Sequence, residues 1–220
     1  MNRKNKISLG EYYHVYNRGV DKRKIFNSCK DKDRFLKLLY LCNSDEKVRF
    51  NEYKDTPLSK IPRSRKIVSI GVYCLMDNHF HLLIKERKDG GISKFMEKLT
   101  TAYVMYFNKK NERTGALFEG RFKAKYISKD SHLKHLYCYI HFNPLKFLNP
   151  EWKKFSKKDI CHNFKFLCNY HHSSFPDYLG GGRDESVILD ADDFPLYFLE
   201  QSFEKHVMNW LSMCDESKER

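Results

Sequence analysis

The stretch from residue 67 to residue 85, IVSIGVYCLM-DN-HFHLLIK, decides the fold. It contains two apolar runs of strand-forming residues, and only Asp77 and Asn78 separate them. Two Asx residues between strand-like runs are typical of a β-hairpin. Because side chains alternate along a strand, the second run places His79 and His81 on one face of the expected sheet.

The flanking sequence predicts further elements in the order β-α-β-β-α-β-α. We expect a strand over residues 11–18, a helix capped by Asp31, an exposed insertion at 44–65, a helix at 92–109, a strand at 118–127, a helix at 132–142 and a last helix at 194–211. This order favours an α+β fold of the ferredoxin-like, split β-α-β kind, with an antiparallel sheet of four to five strands backed by helices. Residues 1–150 form the expected main domain, and residues 151–220 a small C-terminal helical and loop extension.

Composition favours a protein of the cytosol. The seven cysteines are scattered and form no C-x-x-C pair, which is typical of reduced thiols. The basic start of the chain is followed by no apolar run, so we expect no signal peptide. The longest apolar stretch is about half of what a membrane span needs, and no basic amphipathic helix stands out, so we expect no membrane partner.

The charge distribution indicates a polyanionic partner. The chain carries a net charge of +13, but 4 basic and 11 acidic residues lie from Phe175 onward, so residues 1–174 alone carry +20. Such a field attracts nucleic acid and releases its counterions. A basic surface without a ligand is the alternative. The acidic tail is a candidate internal brake that lies across the basic surface.

Two further residues join the histidines as candidates for chemistry. Tyr139 and Asn143 are four positions apart and share one face of a predicted helix. Two imidazoles with an amide oxygen make a mixed N/O site that suits Mg²⁺ or Mn²⁺. The ordinary alternatives are exposed histidines, a packed tyrosine, and Asn143-Pro144 as a helix stop. A zinc site at Cys161, Cys168, His171 and His172 fits no common spacing.

Four blocks of sequence resemble the REP-associated tyrosine transposases, a branch of the single-tyrosine HUH transposases. The blocks are YHVYNRG at 13–19, YCLMDNHFHLL at 73–83, LFEGRFK at 117–123 and YIHFNP at 139–144. Their order matches that of the family, and together they cover roughly residues 10–150. The segment at 170–180 is similar to the end of such proteins, though less sharply.

The resemblance implies a bacterial, nucleoid-associated, metal-dependent enzyme that cuts and rejoins single-stranded or hairpin DNA. Tyr139 would be the nucleophile and form a 5′-phosphotyrosine link, while His79, His81 and Asn143 would hold Mg²⁺ or Mn²⁺. The DNA backbone would lie on four basic side chains, Arg18, Arg121, Lys123 and Lys125. Tyr137 is a rival nucleophile without the four-residue offset to Asn143, and His141 lies on another helical face.

Three alternatives stay open at this point. The chain is either an active transposase or a non-catalytic, domesticated protein that only binds DNA hairpins. A replication or conjugation initiator would share the chemistry, but no helicase motif accompanies it here. The resemblance also leaves open a monomer or a homodimer that exchanges the tyrosine helix.

Overall fold

The computed structural model describes residues 7–47, 50–63, 65–150 and 160–195. Its strands are β1 (Tyr12–Arg18), β2 (Val68–Met76), β3 (His79–Glu86) and β4 (Lys123–Ile127). They form one antiparallel sheet in the order β2-β3-β1-β4. The helices are α1 (Cys29–Leu41), α2 (Gly91–Lys110), α3 (Asp130–Phe142), α4 (Ile160–Cys168) and α5 (Phe175–Tyr178).

This arrangement confirms the predicted α+β class and the four-stranded antiparallel sheet. Each split β-α-β unit leaves a gap that an antiparallel strand fills: β3 lies between β1 and β2, and β1 lies between β3 and β4. The central strands are therefore β1 and β3. Both carry residues of the blocks that resemble transposases.

One face of the sheet packs against α1 and α2 and forms the main core. The ring of Phe35 on α1 lies 5.0 Å, between centroids, from Phe80 of β3 and from Tyr103 of α2. All three side chains are fully buried. Burial of each such side chain contributes about 1.5–3 kcal/mol, so this face fixes the sheet against both helices.

The other face is covered only in part. Helix α3 packs on β2 and β3, where Leu136 and Ile140 join Val72, Cys74 and Leu83 in a second apolar cluster. Among the described residues of β4 on this face, only Ile127 joins this cluster, whereas Lys123 and Lys125 are exposed. The half of this face along β1 and β4 is thus open and basic.

The segment after α4 packs along the outer edge of β2. Ser173 bridges to Cys74, and the main-chain N–H of Asp190 donates to the carbonyl of Ile70. The ring of Phe194 lies against Gly71, where a Cβ atom would come within 2.7 Å of it. A side chain at residue 71 would therefore displace this segment from the sheet.

Three sequence predictions need correction. Ser28, not Asp31, caps α1, and Asp31 completes its capping box from the third helical position. The insertion at 44–65 is not wholly exposed, because Leu58 and Ile61 enter the core. The last strand begins at Lys123 rather than 118, since Phe118 forms only an isolated bridge with Gly19. Beyond residue 195, the helix expected at 194–211 lies outside the described residues.

The buried carboxylate of Asp31 joins α1 to α2. It accepts hydrogen bonds from the main chain of Asn27 and Ser28 and from the side chains of Tyr106 and Lys110. Burial alone raises the pKa of this carboxyl, but the hydrogen bonds outweigh it and leave the pKa below its usual value. The ionised form is therefore the one that the fold stabilises.

We expect Asp31→Asn to lower the free energy of unfolding by about 1–3 kcal/mol, because the amide leaves some of these buried donors without an acceptor. Urea denaturation monitored by circular dichroism measures the loss. The exposed Asp89, changed to Asn in the same way, is the control and should shift stability by less than about 0.5 kcal/mol. Equal effects of the two variants would show that Asp31 does not join the helices.

Candidate active site

A cavity of about 300 Å³ lies where α3 crosses the start of β3. It is bounded by side chains from β1, β3, β4, α3 and the turns beside them: Tyr16, Asn17, Arg18, His79, His81, Glu119, Lys123, Tyr139 and Lys146. The structure thus brings the predicted nucleophile and both predicted histidine ligands to one place.

Strand register places the charged and titratable groups on the same face. Tyr16 of β1 pairs with His81 on one side and with Lys123 of β4 on the other, and Arg18 pairs with His79. Paired residues of an antiparallel sheet point to the same side, so these five side chains all face α3 and the open half of the sheet.

Both histidines of β3 have one ring nitrogen engaged by a neighbour. Nδ1 of His79 shares a hydrogen bond of 2.6 Å with the Asn78 side chain, and Nδ1 of His81 shares one of 2.9 Å with Nε2 of His14. These bonds fix the ring orientations. Among the described residues, no hydrogen-bond partner is seen for Nε2 of either ring, which leaves these two atoms as the available metal-binding nitrogens.

Burial keeps these imidazoles neutral. Burial is the main cause that lowers the pKa of His79 to about 4, and the nearby Lys146 and Arg18 lower it further. Burial also lowers the pKa of His14 to about 4, with Lys125 and His132 adding to the effect. For His81, burial and then His14 and His79 hold the pKa well below its ordinary value. Neutral imidazole is the form that binds metal ions.

The phenol of Tyr139 lies beside this histidine pair. Its ring is half-buried and edge-on to His81, with the ring centroids 5.6 Å apart, and it lies 6.2 Å from His14. Burial raises the pKa of the Tyr139 phenol, while the Asn143 side chain acts in the opposite direction. The phenol is therefore protonated near neutral pH and requires a nearby positive charge to act as a nucleophile.

Asn143 lies at the C-terminal cap of α3 and is fully buried. Its Nδ2 donates to the main-chain carbonyl of Tyr139 at 2.8 Å, and its Oδ1 accepts from Nζ of Lys146 at 2.7 Å. The amide oxygen predicted to bind a metal ion is thus held by an ammonium group. Its use as a ligand requires Lys146 to release it.

The candidate ligands for a divalent cation that the described residues offer are the Nε2 atoms of His79 and His81. In the described residues, no group of three or more His, Cys, Asp or Glu side chains is arranged to hold a metal ion. The alternative zinc cluster therefore has no support, and His172 instead pairs with Asp33. Two imidazole nitrogens leave further positions to oxygen ligands, which Mg²⁺ and Mn²⁺ prefer.

The four predicted DNA-binding side chains divide into two groups. Arg18 and Lys123 line the cavity, and Lys125 lies on the same face, paired with His14. Arg121 is different because it lines a neighbouring groove instead. The buried Nε of Arg18 has no hydrogen-bond partner within the described residues.

Five residues in or beside the cavity were not identified from the sequence, and two of them, Asn17 and Glu119, line its edge. His14 orients His81, Tyr16 lies between His81 and Lys123, and Lys146 has its Nζ 5.7 Å from the Tyr139 ring centroid. The sequence offered two signals for three of them. His14 and Tyr16 alternate along one strand, and Lys146 follows Tyr139 by seven residues, which is two helical turns. As expected, His141 lies outside the site, fully buried against Ser174, and Tyr137 is buried as well.

The described acidic residues of the C-terminal segment do not lie in this cavity. Asp190 pairs with Lys66, and Asp193 bonds Ser69 and Arg87. These contacts are at the end of β2 and β3 remote from His79. The described acidic residues of the tail therefore do not cover the candidate cavity, and residues 196–220 lie outside the described chain, so the internal brake stays a prediction.

The sequence profile of the family described as transposase IS200 like matches residues 46–143. The matched segment contains the histidine hairpin and ends at Asn143, and it confirms the resemblance to single-tyrosine transposases over these residues. A solved structure of a REP-associated tyrosine transposase bound to a REP hairpin is similar at 14% identity and a TM-score of 0.47, over 83% of this chain and 87% of that one. No curated protein matches the sequence. No described helix is long and apolar enough to span a membrane.

We expect the imidazoles of His14 and His79 to stay neutral until the pH falls to about 4. The unfolded chain binds these protons at the ordinary pKa of 6.5, so the free energy of unfolding should fall as the pH is lowered from 6.5 to about 4. Imidazole NMR signals and urea denaturation at stepped pH measure both effects. Titration of the two rings near 6.5 would contradict their burial.

Proposed function

We propose that this protein cuts and rejoins single-stranded DNA through Tyr139. The observation that carries the proposal is the position of the Tyr139 ring, 5.6 Å from His81 in a cavity that also contains Arg18, Lys123 and Lys146. A phenol, paired neutral imidazoles and three cations in one open cavity suit phosphoryl transfer to a tyrosine. The resemblance to REP-associated transposases suggests hairpin or repetitive palindromic DNA as the substrate.

The scissile phosphate would be bound by the cations around the cavity. Arg18 is preorganised for this, because its Nε is buried without a partner among the described residues. Lys123 and Lys146 face the same space. The open basic half of the sheet, with Lys125, continues from this point and would hold the neighbouring phosphates.

His79 and His81 would hold a divalent ion through their Nε2 atoms, since both Nδ1 atoms are engaged. Mg²⁺ or Mn²⁺ bound there would supply positive charge to the phosphate oxygens. Asn143 would be the third ligand if Lys146 released its Oδ1. The ammonium of Lys146, 5.7 Å from the Tyr139 ring centroid, would stabilise the phenolate.

The reaction balances without an external energy source. The phenol oxygen of Tyr139 forms a bond to phosphorus as the bond from phosphorus to the 3′ oxygen breaks. The phenol proton passes to solvent, and the 3′ oxygen takes up a proton to become a hydroxyl. Attack by a 3′ hydroxyl on the phosphotyrosine reverses these changes and rejoins the strand, so the covalent link conserves the bond energy.

We expect Tyr139→Phe to abolish the covalent protein–DNA adduct, because the phenol oxygen is the atom that bonds to phosphorus. The measurement incubates the protein with hairpin oligonucleotides and Mn²⁺ and detects a denaturant-resistant adduct by electrophoresis. Tyr137→Phe is the matched control, two residues away on α3 and buried, and should retain the adduct.

The same assay distinguishes the two classes of function. A wild-type protein that shifts hairpin DNA in a native gel but forms no adduct would be a DNA-binding protein without catalysis. An adduct that persists in Tyr139→Phe and disappears in Tyr137→Phe would assign the nucleophile to the other tyrosine.

We expect His81→Ala to abolish Mn²⁺ binding and His14→Ala to weaken it by about 10–100-fold, the usual effect of losing a residue that orients a ligand. The measurement titrates Mn²⁺ into a complex of hairpin DNA with Tyr139→Phe protein and detects the free Mn²⁺ by electron paramagnetic resonance. The Tyr139→Phe background prevents cleavage of the DNA during the titration. The exposed His162, changed to Ala, is the control. Unchanged affinity in His81→Ala would place the metal ion elsewhere.

A further inference from the structure

The turn that joins β2 to β3 is held by the loop that follows β1. The N–H of Gly19 donates to the carbonyl of Asn78 at 2.9 Å. The N–H groups of Ile25 and Phe26 donate to the carbonyl of Asp77 at 2.8 and 3.1 Å. Because these main-chain bonds hold the turn, its geometry does not depend on the Asn78 side chain alone.

The side chain of Asn78 makes two hydrogen bonds of its own. Its Nδ2 donates to the main-chain carbonyl of Lys22 at 3.1 Å, and its Oδ1 lies 2.6 Å from Nδ1 of His79. A carbonyl oxygen can only accept a hydrogen bond, so the NH₂ group of the amide must face Lys22. The opposite orientation would set two carbonyl oxygens against each other. The amide oxygen therefore faces His79.

This orientation decides which nitrogen of His79 carries the proton. Since the amide oxygen only accepts, Nδ1 of the neutral ring must be the donor. Nε2 then carries no proton and has a free lone pair, the form in which an imidazole nitrogen binds a metal ion. In water, neutral histidine favours the other tautomer, with the proton on Nε2. The contacts of His79 therefore select the less common form.

The second histidine of β3 has no such constraint. Nδ1 of His81 shares its hydrogen bond of 2.9 Å with Nε2 of His14, another imidazole, which can either donate or accept. This contact is compatible with both tautomers of His81. Of the two histidines on β3, His79 is therefore the one whose tautomer is fixed by its contacts with the described residues.

The carbonyl that orients Asn78 belongs to a strained turn. Asp21 and Lys22 both have a positive φ, 53° and 60°, although neither is glycine. Left-handed backbone at a residue with a side chain costs free energy, and such residues concentrate at functional sites. Because Lys22 is also the residue whose carbonyl accepts from Asn78, the strain indicates a role for this contact beyond closing the loop.

We propose that Asn78 is a positioning residue that sets the tautomer of His79 and so prepares Nε2 to bind a divalent ion. The proposal rests on the proposed function, because His79 would hold the ion there. The role is indirect and acts through the ring of His79. A ring that is mostly in the other tautomer binds metal with an apparent affinity reduced by the fraction of the competent form.

The first measurement detects the tautomer directly and needs neither DNA nor metal. Protein labelled with ¹⁵N in its histidines is studied by NMR at about pH 8, above the ordinary pKa of histidine, so that the rings are neutral. The chemical shifts distinguish protonated from unprotonated ring nitrogens, and His79→Gln identifies the signals of residue 79 by their absence. Wild-type protein should carry the proton of His79 on Nδ1.

Three variants separate this role from simple support of the turn. Asn78→Ala should shift the proton of His79 mainly to Nε2, whereas Asn78→Asp retains an acceptor and should keep the proton on Nδ1. Asp77→Ala is the matched control. It removes the ion pairs of the turn with Lys24 and Lys32 and should leave the tautomer unchanged.

The second measurement gives the consequence for metal binding. Mn²⁺ is titrated into the complex of hairpin DNA with Tyr139→Phe protein, and the free ion is detected by electron paramagnetic resonance. Adding Asn78→Ala to this protein should weaken Mn²⁺ binding by about 10–100-fold, as is usual when the hydrogen-bond partner of a ligating histidine is lost. Adding Asp77→Ala should leave the affinity unchanged.

A proton on Nε2 of His79 in the wild-type protein would overturn the proposal, and this result needs no variant. A tautomer that stays the same in Asn78→Ala, or that also changes in Asp77→Ala, would overturn it as well. So would an unchanged Mn²⁺ affinity in Asn78→Ala. The expected tautomer without any Mn²⁺ binding by the Tyr139→Phe complex would instead overturn the metal site of the proposed function, and with it the role of Asn78.

Discussion

The central position of β1, hydrogen-bonded to β3 on one side and β4 on the other, is the constraint on which the site depends. Its register sets Tyr16 against His81 and Arg18 against His79. A shift of one residue would turn these side chains toward the core and bring Asn17 to the histidines instead. The register is protected because the same shift would expose Val15, which is fully buried under α1 and α2. Core packing and site geometry are therefore fixed by the same hydrogen bonds.

Much of the fold was readable from local sequence. The Asp77-Asn78 link and the alternation after it predicted β2 and β3 almost to the residue, because turn chemistry and strand period are local properties. The predictions were wrong where the burial or the role of a residue depends on contacts that the local pattern does not show. Leu58 and Ile61 lie in a polar segment with two prolines, yet the core buries both. Ser28 and Asp31 both fit a capping position, and only the capping-box geometry of α1 assigns their roles.

The candidate site was predictable in its residue types but not in its connections. Alternation placed His79 and His81 together, and helical spacing placed Tyr139 with Asn143, whereas their meeting depends on how α3 crosses the sheet. No local pattern reveals that His14, 67 positions from His81, shares a hydrogen bond with it. The bond from Lys146 to Asn143 was equally hidden, because it forms only where α3 turns into the 3-10 helix Asn143–Phe147.

Buried contacts attach α3 to the rest of its own chain. His141, one turn from Tyr137 and two residues from Tyr139, is sealed against Ser174 and the ring of Phe175, which ties the helix to its own chain. A subunit that lent this helix to a neighbour would have to open that buried contact. In the described part of the chain, Tyr139 therefore meets His79 and His81 on a helix that is packed against its own polypeptide.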